Sequence, residues 1–589
     1  MCYMPDNAKS SSSVLPIPPI VVDGRPRSDK CIGSESPREE RMIAVAVVKT
    51  RSEADAQAVT SCSNSFLQPT INQYITNHPG WSISFARTPT TEQNDPVLAG
   101  ITTVPMSNIC SFSVNVKPSD SSNTFNFELM LPPQTQWNRR FLTVGNSAFS
   151  GAINRYHVAN GVANGFATMG TDTGHGESPD QGDEIWAKNT DKRLDWGYRA
   201  MDRSIDLAKI LVAAYYGNSS ISFSYYSGCS TGGRQGLKQV SINPKSFDGI
   251  LVGAPAWDEK HLMAWLTMIT DYDYKAGSDQ LTPADFATID AFVMASCQTT
   301  PGAPTNDGII PNSNICNVTL DWNSTRIRCD PNNPSATCLN DKKIDLAKML
   351  TRDAYTPYTA NRGGLLYPGY SPGSSLQWNI YLSPPINPAW SESYEADFLG
   401  MGAVNWTLDA QKIVQAIEQP DDWTVYNFTK LNYGGKIILY HGSADGYIPT
   451  RSSQYLYNQT KQTFNGVDDW FRYFEIPGMQ HCFQVNATGL YPPTGKPAPY
   501  YMGGAGQAQG ISQTFVPSSV GINDTQHDGL QALMTWVEKA TAPSSIVTTA
   551  WVEGTTTWGK YRQRPVCPYP KQPTWTAGSD PNLATSWSC

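Results

Sequence analysis

Hydrophobic and polar residues alternate in two neighbouring stretches of the chain. Residues 110–116 read Cys-Ser-Phe-Ser-Val-Asn-Val, and residues 125–131 read Phe-Asn-Phe-Glu-Leu-Met-Leu. A period of two residues is typical of strands with one buried face. Residues 138–144 and 436–440 are more continuously apolar towards their ends and indicate two further strands, the second one buried.

Helical periodicity marks two other segments. Five apolar side chains recur at helical spacing between residues 201 and 215, and Gly217 ends the pattern. Residues 527–538 carry an amphipathic pattern that predicts a final helix. We expect the first helix to pack against the sheet just before a strand at 221–226.

The composition indicates a globular protein. A chain of 589 residues can hold more than one domain and bury a large core. Hydrophobic residues make up 40%, and no run of about 18 apolar residues occurs that would predict a membrane span. The net charge of −8 and the low charged fraction of 16% argue against nucleic acid as a partner.

A glycine-rich turn, Gly-Cys-Ser-Thr-Gly, occupies residues 228–232. The aromatic and β-branched residues 221–226 before it indicate a strand, and residues 233–240 after it indicate a short helix that stops by Pro244. A G-x-S-x-G sequence at a sharp strand-to-helix turn is typical of a nucleophile elbow, which exposes the serine at the sheet edge. An ordinary glycine-rich loop is the alternative, because the pentapeptide also occurs by chance.

Two downstream motifs supply the partners that Ser230 would need as a nucleophile. His481 is followed by Cys482, and Ser230 is likewise preceded by Cys229. Asp445 lies in a turn after a buried strand, so the order is serine, aspartate, histidine, as in α/β hydrolases. A disulfide between the two cysteines would hold nucleophile and base together, since bridged Cα atoms lie about 5.5–6 Å apart.

Together these motifs resemble the tannase and feruloyl esterase family. The longer stretches 228–236, Gly-Cys-Ser-Thr-Gly-Gly-Arg-Gln-Gly, and 253–257, Gly-Ala-Pro-Ala-Trp, look most like its type B feruloyl esterases. The resemblance covers roughly Cys62 to Cys589. It implies an α/β-hydrolase fold with a large lid-domain insertion and a serine carboxylic ester hydrolase that acts on phenolic acid esters.

The predicted catalytic residues are Ser230 as nucleophile, His481 as general base and acid, and Asp445 as the group that orients the imidazole. We expect the Thr231 amide, at the start of a helix, to stabilise the oxyanion. Gly145, after the strand at 138–144, is the candidate for a second oxyanion amide, with Asn146 as its alternative. The sequence after this strand, Gly-Asn-Ser at 145–147, departs from the family, whose members usually have a run of glycines at this position.

Three other polar residues have motif contexts of their own. Asp172 and His175 belong to a Thr-Asp-Thr-Gly-His stretch that the family shares, and either a structural role or substrate contact would account for them. His441 precedes the turn that carries Asp445 and is expected to support it.

The chain has 12 cysteines, and the resemblance implies that ten of them form five disulfides. The implied pairs are Cys62–Cys110, Cys229–Cys482, Cys297–Cys316, Cys329–Cys338 and Cys567–Cys589. Spacing alone cannot establish the connectivity. Cys2 and Cys31 remain. A zinc site is the rival hypothesis, but the chain has no C-x-x-C or clustered Cys/His spacing.

Eight N-x-S/T sequons accompany the cysteines and favour a secreted glycoprotein. They lie at Asn218, Asn317, Asn323, Asn405, Asn427, Asn458, Asn486 and Asn523. No signal peptide is evident at the N-terminus, because residues 1–19 lack the apolar stretch that a secretory signal needs. We interpret residues 1–55 as a disordered segment or a divergent leader.

The separation of Ser230 from Asp445 predicts the domain layout, because a simple hydrolase core needs far fewer intervening residues. We place a lid domain at 259–424, between a first catalytic part at 56–258 and a second at 425–589 that ends in a disulfide-closed tail.

Lids of this family often carry a calcium loop inside a short disulfide. Between Cys297 and Cys316 only Asp307-Gly308-Ile309-Ile310 remains of that pattern, and Gln298 follows the first cysteine. Calcium prefers about 6–8 oxygen ligands with several carboxylates. We therefore predict no cofactor and no metal, with Asp307 and Ile309 as a weak calcium alternative.

Three hypotheses for the function follow. Feruloyl esters of plant cell wall polysaccharides are the leading substrates, and gallate esters, as for a tannase, are the runner-up. A catalytically inactive hydrolase fold used for binding is the third. The predicted partner is a phenolic ester, with no nucleic acid and no membrane, and the oligomeric state stays open.

Overall fold

A computed structural model describes residues 62–91, 109–176, 185–298, 308–330, 337–359, 363–382, 394, 396–401, 404–419, 424, 428–482, 524–551 and 560–589. The predicted leader at 1–55, Asp307 and the sequons at Asn427, Asn486 and Asn523 lie outside these residues. No helix within the described part of the chain is long and apolar enough to cross a membrane.

The strands, in chain order, are β1 (Ser82–Phe85), β2 (Thr90–Thr91), β3 (Cys110–Lys117), β4 (Phe125–Leu131), β5 (Arg140–Val144), β6 (Ala167–Thr171), β7 (Phe223–Cys229), β8 (Gly249–Gly253), β9 (Ala354–Tyr355), β10 (Leu365–Tyr367), β11 (Lys436–Gly442), β12 (Phe471–Ile476), β13 (Ile546–Trp551), β14 (Lys560–Val566), β15 (Thr574–Trp575) and β16 (Trp587–Ser588).

The α-helices are α1 (Asn64–Asn77), α2 (Arg155–Ala163), α3 (Thr190–Leu194), α4 (Ala200–Tyr215), α5 (Thr231–Ile242), α6 (Glu259–Lys275), α7 (Pro283–Cys297), α8 (Ser313–Thr319), α9 (Asp341–Thr351), α10 (Trp406–Ile417), α11 (Thr450–Thr463) and α12 (Gly529–Lys539). One π-helical turn, Asp195–Arg199, leads into α4, and short 3₁₀ helices include Ser375–Ile380.

A ten-stranded mixed sheet forms the centre of the fold. Its strand order is β1-β3-β4-β6-β5-β7-β8-β11-β12, and β2 also pairs with β3. The pairs from β6 through β5, β7, β8, β11 and β12 are parallel, whereas β1, β3 and β4 join antiparallel. A mostly parallel sheet with helices, in which a strand-to-helix elbow follows the central strand β7, confirms the predicted α/β-hydrolase fold.

The elements predicted from hydrophobic patterns agree with the observed ones. The alternating stretches at 110–116 and 125–131 are β3 and β4, and the periodic segment at 201–215 lies in α4. The final helix begins at Gly529, two residues later than predicted. Asp528 caps it, because its carboxylate accepts the amides of Leu530 (2.8 Å) and Gln531 (3.0 Å).

The segment between β8 and β11, predicted as a lid, is largely helical where it is described. It contains α6 to α10 and the small antiparallel pair β9–β10. Its apolar residues, among them Trp265, Tyr370 and Trp378, form a second hydrophobic core that also takes in Phe149 and Trp196. Side chains from this segment therefore pack directly against elements that flank the elbow.

All five disulfides implied by the resemblance are present. They join Cys62–Cys110, Cys229–Cys482, Cys297–Cys316, Cys329–Cys338 and Cys567–Cys589, with Cα–Cα distances between 4.9 and 5.9 Å. These distances lie in the usual range for a disulfide.

One buried histidine lacks any polar compensation. His157 lies on α2, which packs against β4, β5 and β6, and the residue is 5% exposed. Neither ring nitrogen has a hydrogen-bond partner among the described residues. Burial lowers the pKa of this imidazole to about 4. In the unfolded chain the His157 imidazole has its ordinary pKa of about 6.5. As the pH falls, this imidazole therefore binds a proton in the unfolded state before it does so in the native state.

We predict that His157→Leu stabilises the protein increasingly at acidic pH. Between pH 6.5 and pH 4 the wild type loses stability through this residue, by about 3 kcal/mol at most, and the variant does not. Denaturant unfolding at pH 7 and pH 4.5 measures the difference between variant and wild type. A difference that stays constant over this range would contradict the prediction.

Candidate active site

The carboxyl ends of the parallel strands carry the residues that the sequence singled out. Ser230 follows β7 directly, Asp445 lies in the turn after β11, and His481 lies in the turn after β12. Because parallel strands end at the same edge of a sheet, the topology brings these three loops together. The sheet order, in which β7, β8, β11 and β12 are successive neighbours, explains why residues so distant in sequence share one site.

Ser230 sits in a strained backbone conformation. Its φ is 62° and its ψ is −125°, values that a residue with a side chain rarely adopts. The Ser230 amide donates to the Gly253 carbonyl (3.0 Å), and the Ser230 carbonyl accepts the Ala256 amide (3.2 Å). Contacts from the end of β8 on both sides of the residue therefore hold the elbow in place.

Close approach of backbones requires glycine at two elbow positions. A Cβ at Gly228 would lie 2.8 Å from the Gly232 carbonyl group, and a Cβ at Gly232 would lie 2.9 Å from the Asn146 oxygen. Both distances are shorter than real Cβ contacts. The two glycines of G-x-S-x-G thus let α5 begin immediately against β7 and the loop after β5.

Asp445 is fully buried and accepts hydrogen bonds on both carboxylate oxygens. Its Oδ2 lies 2.7 Å from Nδ1 of His481 and 3.0 Å from Nε2 of His441. Its Oδ1 accepts the amides of Tyr447 (2.8 Å) and Ile448 (2.9 Å). Burial by itself would raise the pKa of this carboxyl, but the charge of His481 and the hydrogen bonds from both histidines hold it below its ordinary value.

His441 supports the Asp445 turn, as its position in the sequence suggested. Its Nε2 lies 3.0 Å from the Ile448 carbonyl as well as beside Asp445, and its Nδ1 lies 2.8 Å from the Ser453 hydroxyl. Two acceptors at Nε2 require a proton on that nitrogen. His441 is therefore a fixed, buried donor to the carboxylate.

Besides its bond to Asp445, His481 makes one contact through its ring and one through its backbone. Its ring stacks on Tyr447, with centroids 5.0 Å apart and an interplanar angle of 11°. Its backbone amide donates to Oε1 of Gln377 (3.1 Å), which also accepts the Gly446 amide (3.0 Å). Gln377 comes from the predicted lid segment, so a single side chain joins that segment to both the aspartate loop and the histidine loop.

The Cys229–Cys482 disulfide joins the residues next to Ser230 and His481. Its Cα atoms are 5.9 Å apart, and it spans 253 residues of sequence. Since each cysteine is bonded directly to a candidate catalytic residue, the bridge restricts how far the two can separate.

Ser230, Thr231 and His481 line one cavity of about 440 Å³. Most of the remaining wall is apolar or aromatic and includes Phe149 and Tyr447. This mostly apolar lining with a few polar groups is typical of a site for a small organic ligand.

The loop after β5 reaches this cavity, but not through Gly145. The Gly145 amide donates to the Ser227 carbonyl (3.1 Å), and the Asn146 amide donates to Oε1 of Gln235 (3.0 Å). Both amides are therefore engaged, which corrects the expectation that Gly145 or Asn146 faces the oxyanion. Ala148, with a left-handed φ of 46°, is the residue of this loop that lines the cavity beside Phe149.

The Thr-Asp-Thr-Gly-His stretch organises the neighbouring loops. Asp172 accepts the amides of Asn126 (2.8 Å) and Gly174 (2.9 Å). Nε2 of His175 lies 2.7 Å from the Phe149 carbonyl, and burial lowers the pKa of this imidazole to about 4. A neutral His175 that donates to Phe149 fixes the end of the loop after β5, so the structure favours the structural role.

Only one of the two predicted weak calcium ligands lies within the described residues. Ile309 is buried in a hydrophobic cluster, and Asp307 lies outside the described part of the chain. The described residues contain no group of three or more His, Cys, Asp or Glu side chains that could hold a metal.

Sequence reasoning missed three residues of the site. Tyr447 follows Asp445 by two positions, so the aspartate motif itself was a signal for it. Gln377 and the cavity residue Glu259 lie in the predicted lid, where no motif pointed to them. Their roles depend on how that segment packs over the sheet edge.

The sequence of the chain is similar to that of proteins from one family. A family model described as "Tannase and feruloyl esterase" matches residues 110–432 and 404–589. A probable feruloyl esterase B-2 from Aspergillus terreus is 29% identical over 512 residues, covering 84% of this chain and 89% of the relative. A probable feruloyl esterase B-1 from Aspergillus flavus is 29% identical over 520 residues with the same coverage.

Solved structures agree with the family model. The crystal structure of feruloyl esterase B from Aspergillus oryzae aligns with a TM-score of 0.71 and 25% identity, covering 87% of this chain and 97% of that one. A tannin acyl hydrolase from Aspergillus niger has the same fold, with a TM-score of 0.63, 18% identity, and coverage of 87% and 90%. The family model spans most of the described sheet and the three loops that carry Ser230, Asp445 and His481, and the chain therefore belongs to the tannase and feruloyl esterase family.

Proposed function

We propose that the protein is a secreted serine carboxylic ester hydrolase that cleaves phenolic acid esters, with feruloyl esters of plant cell wall polysaccharides as its substrates. One observation carries the proposal. Ser230 and His481 line the same cavity, and His481 is bonded through Nδ1 to the buried Asp445 carboxylate at 2.7 Å. This is the arrangement that a nucleophile, its base and the orienting acid require.

In the first half of the reaction, the Ser230 oxygen attacks the ester carbonyl carbon. His481 accepts the hydroxyl proton on Nε2, since Nδ1 is bonded to Asp445. The tetrahedral intermediate then expels the alcohol, which takes the proton from His481, and the acyl group remains on Ser230. Asp445 stays ionised and stabilises the imidazolium, consistent with its lowered pKa.

In the second half, water attacks the acyl-enzyme. His481 accepts the water proton and then returns it to Ser230 as the acid leaves. The Thr231 amide, at the first position of α5, has no acceptor within its own helix and is the proposed oxyanion donor. Because Gly145 and Asn146 are engaged elsewhere, the second donor is expected further along the loop, where Ala148 lines the cavity.

Two findings support phenolic substrates and the preference for ferulate. Sequence relatives from Aspergillus terreus and Aspergillus flavus, and a solved structure from Aspergillus oryzae, carry names that include feruloyl esterase B. The cavity is lined with aromatic and aliphatic side chains, which suit a planar aryl group. We further propose that residues 259–424 act as a lid domain over the serine, since α6 and the segment around Tyr381 contribute cavity walls.

Secretion is part of the proposal and is supported by the cysteines. Five disulfides within the described residues are typical of proteins that fold in an oxidising compartment. The sequons are consistent with glycosylation along that route.

Hydrolysis of methyl ferulate and methyl gallate, measured side by side, tests the function. We expect the wild type to turn over ferulate faster, and Ser230→Ala to lower kcat by at least about 10⁴-fold, because the nucleophile is removed while the cavity remains. Gallate turnover without ferulate turnover would keep the mechanism and change the substrate to that of a tannase. A folded wild type that hydrolyses neither ester would contradict the proposal.

The double variant Cys229→Ala/Cys482→Ala tests whether the disulfide holds the site. Loss of so long a loop closure costs about 5 kcal/mol in the chain-entropy model, so activity must be measured where the variant is fully folded. We expect kcat to fall about tenfold or more even there, because small displacements of nucleophile and base are costly.

Cys567→Ala/Cys589→Ala is the matched control. This bridge closes a short C-terminal loop with a sequence separation of 22 and joins neither candidate catalytic residue. Its loss should lower stability, by about 3 kcal/mol, and leave kcat unchanged. Wild-type turnover in the folded Cys229→Ala/Cys482→Ala variant would refute the positioning role.

A further inference from the structure

One wall of the catalytic cavity is a face of α6. Glu259, Leu262, Met263 and Leu266 recur at helical spacing along this helix, and all four line the cavity that contains Ser230. Three of these side chains are apolar. Glu259 is the first residue of α6. It therefore adds an acidic group to a wall that is otherwise suited to an aromatic ring.

The Glu259 carboxylate is buried next to a fixed positive charge. Its side chain is 5% exposed, and Oε2 lies 3.9 Å from Nε of Arg234, whose side chain has no exposure. Arg234 in turn donates to the Gly197 carbonyl (3.0 Å), and its guanidinium lies 4.0 Å from the centre of the Trp196 ring. The guanidinium therefore places an opposite charge close to the carboxylate.

A carboxylate in a cavity of low polarity is a strong hydrogen-bond acceptor. It stabilises a ligand that carries a hydroxyl donor, and it disfavours a ligand that leaves it facing an apolar group. A cationic ligand fits less well, because Arg234 already neutralises the carboxylate and would repel a second positive charge. The chemistry of the wall thus matches an aryl group with a hydroxyl substituent.

We propose that Glu259 is a specificity-determining residue that accepts a hydrogen bond from a phenolic hydroxyl on the acyl group of the substrate. This inference rests on the proposed function, since it assigns the aryl ring of the ester to the cavity beside Ser230. The apolar residues of α6 pack against the ring, and Glu259 selects rings that carry a free hydroxyl over rings in which it is methylated or absent.

The test compares two esters that differ at one group. Methyl ferulate has the free phenolic hydroxyl, and methyl dimethoxycinnamate carries a methyl group on the same oxygen. We expect wild type to prefer methyl ferulate in kcat/KM. Glu259→Gln, which keeps the shape and loses the charge, should reduce this preference by about tenfold, and Glu259→Leu, which removes the acceptor, should reduce it further.

Asp271→Asn is the matched control variant. Asp271 lies on the same helix, is bonded to Lys275 (2.6 Å) and does not line the cavity, so its substitution should leave the preference unchanged. Binding of the two esters to the Ser230→Ala background, with and without Glu259→Gln, provides a readout that is independent of turnover. The affinity for methyl ferulate should fall, and that for methyl dimethoxycinnamate should not.

The outcomes separate this inference from the proposed function. If Glu259→Gln lowers kcat/KM equally for both esters, or leaves the preference intact, Glu259 does not recognise the phenolic hydroxyl. The inference then fails, and the proposed esterase function stands. If folded wild-type protein hydrolyses neither ester, the proposed function fails and the inference fails with it. A collapse of the preference with retained turnover of methyl dimethoxycinnamate supports both.

Discussion

The buried carboxylate of Asp445 is the constraint on which the rest of the site depends. A charge without exposure to water is stable only where opposite charge and hydrogen bonds replace its hydration. Two imidazoles and two backbone amides do so here. These groups come from the end of β11 and from the turns after β11 and β12, so the carboxylate is accommodated only once those strands have paired. Formation of the sheet and formation of the site are therefore coupled.

Ser230, the proposed nucleophile, lies at the same edge of the sheet and is held by separate contacts. The strained conformation of Ser230 is held by backbone bonds to the end of β8, and the Cys229–Cys482 bridge connects the elbow to the histidine loop. Gln377 adds a third connection, from the predicted lid to both the aspartate and the histidine loops. A site assembled from segments that are hundreds of residues apart is thus made rigid by three kinds of link: sheet pairing, a disulfide and one buried amide.

Most of the sheet and the candidate triad were predictable because their signals are local. Alternation identified β3 and β4, and the strand-Gly-x-Ser-x-Gly-helix context identified the elbow. The hydrogen bonds of single amides in the loop after β5 were not predictable. Whether the Gly145 amide is available to a substrate depends on its hydrogen bond to the Ser227 carbonyl on the neighbouring strand. No residue close to Gly145 in the sequence predicts that bond. Gln377 and Glu259 were missed for the same reason.

The sequence by itself determined the strand and helix positions, the elbow, the candidates for nucleophile, base and acid, and, through family resemblance, the disulfide pairs. These follow from side-chain periodicity and from motifs in which neighbouring residues act together. Only the tertiary structure decided which amides remain available at the oxyanion loop, that His175 holds the loop rather than the substrate, and that Glu259 enters the cavity beside Arg234. Those properties depend on contacts between distant segments, and such contacts exist only after the helices and the sheet have packed.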